Sequence, residues 1–195
     1  MRIIGTVAFS YVRAVYRGDH PLDREHRANT NGDGERALEM ADEMLGTWVR
    51  VLLTREEVLG VTLPWHLSEG GGFALVPKTG TTVGEAAELV RSDPEAMKRE
   101  NPVCAEKLDL FRRSPHSPIY LSTSPIPHPD YADLRVRSGL IHLDGLHRSV
   151  AWALADRLAP GERTEAFVAG VPEASSEQGP PPPRPDTDRT GGPRP

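Results

Sequence analysis

The apolar positions of this chain switch repeatedly between a strand-like and a helix-like period. "MRIIGTVAF" opens as a strand, and "SYVRAVYRG" follows as a short helix that Gly18 should close. Residues 18–34 are polar and turn-rich, a loop. In "GERALEMADEMLG", Ala37, Leu38, Ala41, Met44 and Leu45 share one helical face, and Gly46 ends the helix. "TWVRVLL" is a strand. Thr54 and Glu57 form a capping box that starts a short helix through Val61. "LPWHLSEGGGFALVPKTG" is strand-and-loop material. A second capping box pairs Thr82 with Glu85, and Val83, Ala86, Ala87 and Val90 follow at helical spacing. Asp93-Pro94 and Asn101-Pro102 each put a capping side chain before a proline at the first helical position, which predicts two more helices. "SPIYLST" is a short strand, residues 124–138 a loop and "LIHLDG" a largely buried strand. Val150, Ala151, Leu154 and Ala155 then give a helical face, and "EAFVAGV" is a last strand.

This order predicts a single α/β (α+β) domain over residues 1–171, without an internal repeat. The loops at 18–34 and 122–138 exceed ordinary connection lengths, which points to function. Residues 172–195 hold eight of the nineteen prolines and no side chain able to anchor a core. They are expected to form a disordered tail of polyproline II character. "GPPPPRP" resembles a ligand for an SH3-like groove, so a protein partner through the tail is one expectation and a solvated tail the other.

Composition changes the picture little: 37% hydrophobic and 26% charged residues are ordinary for a globular protein. The net charge of −5 argues against a large nucleic-acid footprint. No apolar run approaches the roughly 20 residues that span a bilayer. The N-terminus has no signal-peptide pattern, so a cytoplasmic protein is expected. The single cysteine, Cys104, excludes an internal disulfide framework and a Cys-based zinc cluster.

The chemistry concentrates in "LDGLHRS", Leu143 to Ser149, where a strand turns into a helix. The first turn of a helix leaves backbone N–H groups without partners and carries partial positive charge. Gly145 lets a ligand approach that backbone closely, and Arg148 adds a fork suited to phosphate. His147 can donate to a phosphoryl oxygen or shuttle a proton, and Asp144 can hold Mg²⁺ or orient a hydroxyl. The phosphate set is therefore Gly145, Leu146, His147, Arg148 and Ser149. The plainer alternative is a tight corner in which Asp144 caps the helix, Arg148 pairs with it and His147 lies at the surface.

The run "SPIYLSTSPIPHPDYADLRVRSGLIHLDGLHRSVAWALA" resembles the core of the ParB/sulfiredoxin-like superfamily. Pro118, Ile119 and Tyr120 begin the pattern, and Asp144, Gly145, His147 and Arg148 match its D-G-x-H-R box. The resemblance covers about 40 residues, reaches back loosely to "VRVLLTREEV", and leaves residues 1–48 as an N-terminal extension to a core of 49–171. It implies a mixed sheet with flanking helices. Sulfiredoxins carry their cysteine at the third position of the box, here Leu146, and Cys104 falls on a separate predicted helix, so sulfinate reduction is not expected. ParB proteins continue into a DNA-binding domain that this sequence is not expected to contain. The box is most similar to that of the free-serine kinases. That resemblance implies a nucleoside di- or triphosphate, Mg²⁺ and phosphoryl transfer to a small hydroxyl-bearing metabolite, with Asp144, His147 and an upstream glutamate, Glu56 or Glu57, as the catalytic set. The alternative is a non-catalytic nucleotide-binding regulatory or interaction module.

Other residues carry weaker signals. Glu69 lies on a glycine-rich loop. Asp19, His20, Glu25 and His26 cluster in a polar stretch that fits no defined metal spacing and reads as solvated loop. His142 is expected to be packed in its strand. Trp48, Trp65 and Trp152 are expected in the core, with Trp65-His66 before the glycine loop as the exception to watch.

Overall fold

The computed structural model describes residues 1–20, 31–66, 72–77, 79–136 and 138–171. The tail at 172–195 lies outside them, as do Glu25, His26 and Glu69. The described elements are strand β1 (Arg2–Val7), helices α1 (Phe9–Asp19) and α2 (Asn31–Leu45), strand β2 (Trp48–Leu53), helices α3 (Arg55–Leu59), α4 (Val83–Ser92), α5 (Pro94–Glu100) and α6 (Pro102–Phe111), strands β3 (Ile119–Ser122) and β4 (Ile141–Asp144), helix α7 (Leu146–Leu154) and strand β5 (Thr164–Ala169). This is the α/β class expected.

The strands form one mixed sheet in the order β1-β2-β5-β3-β4, in which β3 and β5 run parallel and the other neighbours antiparallel. Alternate side chains serve the two faces, as the period of two requires. Val49, Val51, Leu53, Ile119, Leu121, Ala166 and Val168 pack with the apolar sides of α3 to α7. Trp48, Tyr120, Phe167 and Ala169 pack on the opposite face with Val12 and Tyr16 of α1 and Leu38 and Ala41 of α2. Helices α1 and α2, with Ile126, Tyr131 and Leu134 of the segment between β3 and β4, thus supply the packing on that side.

Local chemistry sets most boundaries. Both capping boxes are made in full, at Thr54/Glu57 and Thr82/Glu85. Asp93 and Asn101 each accept a backbone N–H at the start of α5 and α6. Gly46 ends α2 with φ of 63°. The short third helix stops at Leu59, before the expected Val61, which leaves the helix but stays buried in the core as an extended segment begins. There Thr62 bridges to Ile141 and so covers the outer edge of β4. Helix α1 runs on past Gly18 to Asp19. The His20 N–H reaches the Tyr16 carbonyl at 2.8 Å, and the two rings stack 4.2 Å apart, holding the last turn that a glycine alone would end. This extension carries His20 to the carboxyl end of β4.

Candidate active site

The β4–α7 turn is built on Gly145. Its φ is 104°, a left-handed conformation that costs an L-residue about 1–2 kcal/mol. A Cβ there would also come within 2.7 Å of Ile119 Cγ2. Gly145 therefore lets the chain reverse tightly against β3. No side chain caps α7. Its opening faces a cavity of about 890 Å³, lined by the ends of α1 and α2, residues 64–66, the end of α6, residues 114–117, the 130–131 turn and the β4–α7 turn itself. Of the chain's seven histidines, His20, His66, His116, His128, His142 and His147 all line this cavity.

Asp144 sits at its floor. The Arg148 guanidinium, one turn along α7, ion-pairs with the Asp144 carboxylate. Its other branch donates to Ser117 Oγ at 2.8 Å. Arg148 is buried, so its fork is spent inside the protein rather than held out for a ligand. His20 Nε2 lies 3.4 Å from Asp144 Oδ2, while His20 Nδ1 faces the Tyr16 carbonyl at 3.0 Å. Burial alone would raise the Asp144 carboxyl; the Arg148 charge, then His20 and His142, outweigh it and hold Asp144 well below the usual carboxylate range. Burial, then the Asp144 charge, pushes the Tyr16 phenol the other way, well above its ordinary value.

Both contacts, from Arg148 and from His20, fall on Asp144 Oδ2.

His147 points elsewhere than the Asp144 carboxylate. Its Nε2 is 3.3 Å from Cys104 Sγ, and its ring meets His66 edge to face at 5.3 Å. Burial first, then Lys107 and the neighbouring histidines, holds the His147 imidazole well below its ordinary value. Sequence distance set Cys104 apart from the box; the packing of α6 on α7 brings it alongside. His142, between Ile141 and Leu143 of the apolar face, is held down to about 4 by burial. Its two ring nitrogens have no hydrogen-bond partner.

The remaining expectations are distributed unevenly. Leu146 lines the cavity, but Ser149 is buried, with its hydroxyl donating to the Gly145 and Leu146 carbonyls at 3.0 Å each. Glu57 is consumed by its capping box and an ion pair with the Met1 amine. Glu56 is exposed, and neither glutamate lines the cavity. Trp48 and Trp152 are core residues, whereas Trp65 is 45% exposed at the cavity wall. Sequence reasoning passed over His116. It lies beside Ser117 on that wall, tilted against Trp152 at 4.7 Å. Partial burial, then the Arg157 guanidinium, lowers its imidazole below the ordinary value.

Among the described residues, no helix is long and apolar enough to cross a membrane. No curated protein and no solved structure matches the chain. One family model does, over residues 1–186, a span that takes in every element of the sheet and the whole cavity wall. The chain therefore belongs to the family described as "Family of unknown function (DUF6309)".

Proposed function

We propose that this protein is a small-molecule phosphotransferase, moving a phosphoryl group from a nucleoside di- or triphosphate to the hydroxyl of a small metabolite such as a free amino acid. The observation that carries the reading is the start of α7: a left-handed Gly145 and an uncapped helix N-terminus, opening onto a cavity of about 890 Å³. Such a terminus offers unpaired N–H groups and partial positive charge to a phosphate. The volume lies within the roughly 300–1,000 Å³ usual for small-molecule sites. Lys107 adds a cation to the wall, and the exposed Trp65 offers a face on which a nucleobase can stack. Phosphoryl transfer asks mainly for positioning and charge, which this wall can supply.

In this reading the first amides of α7 hold phosphate oxygens, and Arg148 acts at one remove by fixing Asp144. His116, at the wall, takes the acceptor's proton as the hydroxyl oxygen bonds to the terminal phosphorus. The bridging P–O bond breaks and the shortened nucleotide leaves. The test is phosphorus NMR of the protein with Mg²⁺, with ATP, ADP or CTP in turn, and a pool of serine, threonine and related hydroxy metabolites. The expected result is a new phosphomonoester resonance, formed about 10²–10⁴-fold more slowly by His116→Gln. Absence of product with every nucleotide, or an unimpaired His116→Gln variant, contradicts the reading.

One observation favours a second reading, a non-catalytic nucleotide-binding module: the carboxylate at the turn is tied up by Arg148 and His20. Nucleotide-dependent thermal stabilisation without product selects it.

A further inference from the structure

We propose that His66, Cys104 and His147 form a binding site for one zinc-class divalent metal ion whose remaining coordination position faces the cavity. Each side chain presents one donor atom, and the three atoms lie within 4.8 Å of one another. Cys104 Sγ is 3.3 Å from His147 Nε2 and 3.9 Å from His66 Nε2. Zinc bonds of about 2.0–2.1 Å to imidazole and about 2.3 Å to thiolate, at tetrahedral angles, place nitrogen and sulfur roughly 3.6 Å apart. The two separations bracket that value, so small side-chain rotations bring the donors onto a common centre. The His66 and His147 rings stand edge to face at 78°, leaving both nitrogens room to turn toward the sulfur.

The donor chemistry selects the ion. Two imidazoles and a thiolate suit zinc and its borderline neighbours, whereas magnesium and calcium take oxygen. Two of the three ligands stand on packed helices, Cys104 in α6 and His147 in the first turn of α7, and His66 closes the set from the segment after Thr62. His66 and His147 line the cavity, and the fully buried Cys104 stands behind them. Among the described residues these three side chains supply the donors, approach from one side and leave the other to whatever occupies the cavity. Three protein ligands plus an open position is the pattern of reactive zinc sites, while structural sites are closed by four. Lys107, three residues beyond Cys104 on α6, brings a positive charge close, and the thiolate offsets part of it. An ion here would bind an anionic oxygen of a ligand in the cavity. The inference rests on the donor geometry alone and does not depend on the phosphoryl-transfer reading.

The test uses the full chain without an affinity tag, reduced and stripped by chelator, then titrated with Co²⁺ and back-titrated with Zn²⁺. The expected result is one equivalent of Co²⁺ per chain. It should show the visible bands of a tetrahedral ion and a thiolate-to-cobalt charge-transfer band in the near ultraviolet, and Zn²⁺ should displace it. Cys104→Ser should lose the charge-transfer band. His66→Ala, changed on a half-buried segment outside the helices, should keep the wild-type circular dichroism. It should weaken Zn²⁺ binding by more than about a hundred-fold, beyond the loss of an outer-shell partner. No stoichiometric uptake of either ion, or wild-type binding by both variants, overturns the proposal. Neither readout involves a nucleotide, so this test and the phosphorus NMR experiment fail independently.

Discussion

Replacing Arg148 by methionine separates a structural guanidinium from a phosphate clamp. Arg148 is 4% exposed, donates to Ser117 Oγ at 2.8 Å and pairs with Asp144. Methionine refills most of the alkyl volume but strands the Asp144 charge. Removing one partner of a buried pair typically costs about 3–5 kcal/mol. Two features place this case at the lower end: His20 stays 3.4 Å from the carboxylate, and the carboxylate can relieve itself by taking up a proton. The expectation is a loss of about 3 kcal/mol at pH 7, a large share of the roughly 5–15 kcal/mol that holds a domain together. Asp144→Asn alone should also destabilise, since it leaves the guanidinium without its counter-ion. The double variant Asp144→Asn/Arg148→Met should lose less than the sum of the two by about 2 kcal/mol. Urea unfolding followed by tryptophan fluorescence measures this, because Trp48 and Trp152 are buried in the two cores. A shift in midpoint at constant slope reports stability alone. Arg148→Met costing less than about 0.5 kcal/mol, as exposed pairs often do, or a cycle additive within about 0.5 kcal/mol, refutes the assignment.

Four further outcomes follow from the same geometry. Gly145→Ala combines a left-handed φ with a 2.7 Å approach to Ile119, and should cost about 2–4 kcal/mol by chemical denaturation, with nucleotide binding weakened in proportion to the lost turn. His142 is held down to about 4 by burial, so below about pH 6.5 the unfolded chain takes a proton that the folded ring refuses. His142 alone should contribute a fall of about 3 kcal/mol as pH drops toward 4, on top of the same-signed contributions of the depressed His147 and His116, and His142→Phe should make that segment of the profile shallower. The Asp144 contribution has a separate window: its carboxyl is depressed by Arg148, so its stabilisation is complete above about pH 4 and is lost only as the pH falls further toward the folded value. Thr82→Ala removes one side of a complete capping box and should cost about 1 kcal/mol with no effect on ligand binding, since Thr82 lies outside the cavity.

What was legible in the sequence had local causes. Thr54 with Glu57, Thr82 with Glu85, Asp93-Pro94 and Asn101-Pro102 each carry their helix start within four residues, and each starts a helix where expected. The strand–glycine–helix turn at Asp144 to Arg148 was visible for the same reason. The glutamates show the opposite hazard. Glu57 already had a local role in its capping box, and the fold gives it that role rather than one in the cavity.

What was hidden depends on packing between distant segments. No spacing rule joins His66, Cys104 and His147, which are 38 and 43 residues apart in the pairs that touch. They meet because α6 lies on α7 and the segment after α3 bridges to β4. His20 read as part of a solvated loop because nothing near it in sequence indicates that α1 ends at the foot of β4. Only the stack on Tyr16 and the approach to Asp144 reveal it. Arg148 shows a further limit. Its residue type is right for phosphate, but which group occupies its fork is decided by Asp144 and Ser117 in three dimensions.

The most direct test of the cavity as the working site is nitrogen-15 NMR of the imidazole side chains during nucleotide titration. Each resonance can be assigned from single His→Gln variants. Six of the seven histidines line one wall system, so a ligand seated at the start of α7 should perturb several of them together, with His116 and His147 among those shifted and with saturation at a single dissociation constant. Imidazole resonances that stay in place through millimolar ATP, ADP and CTP would contradict the claim that this cavity is where the protein binds its phosphorylated ligand.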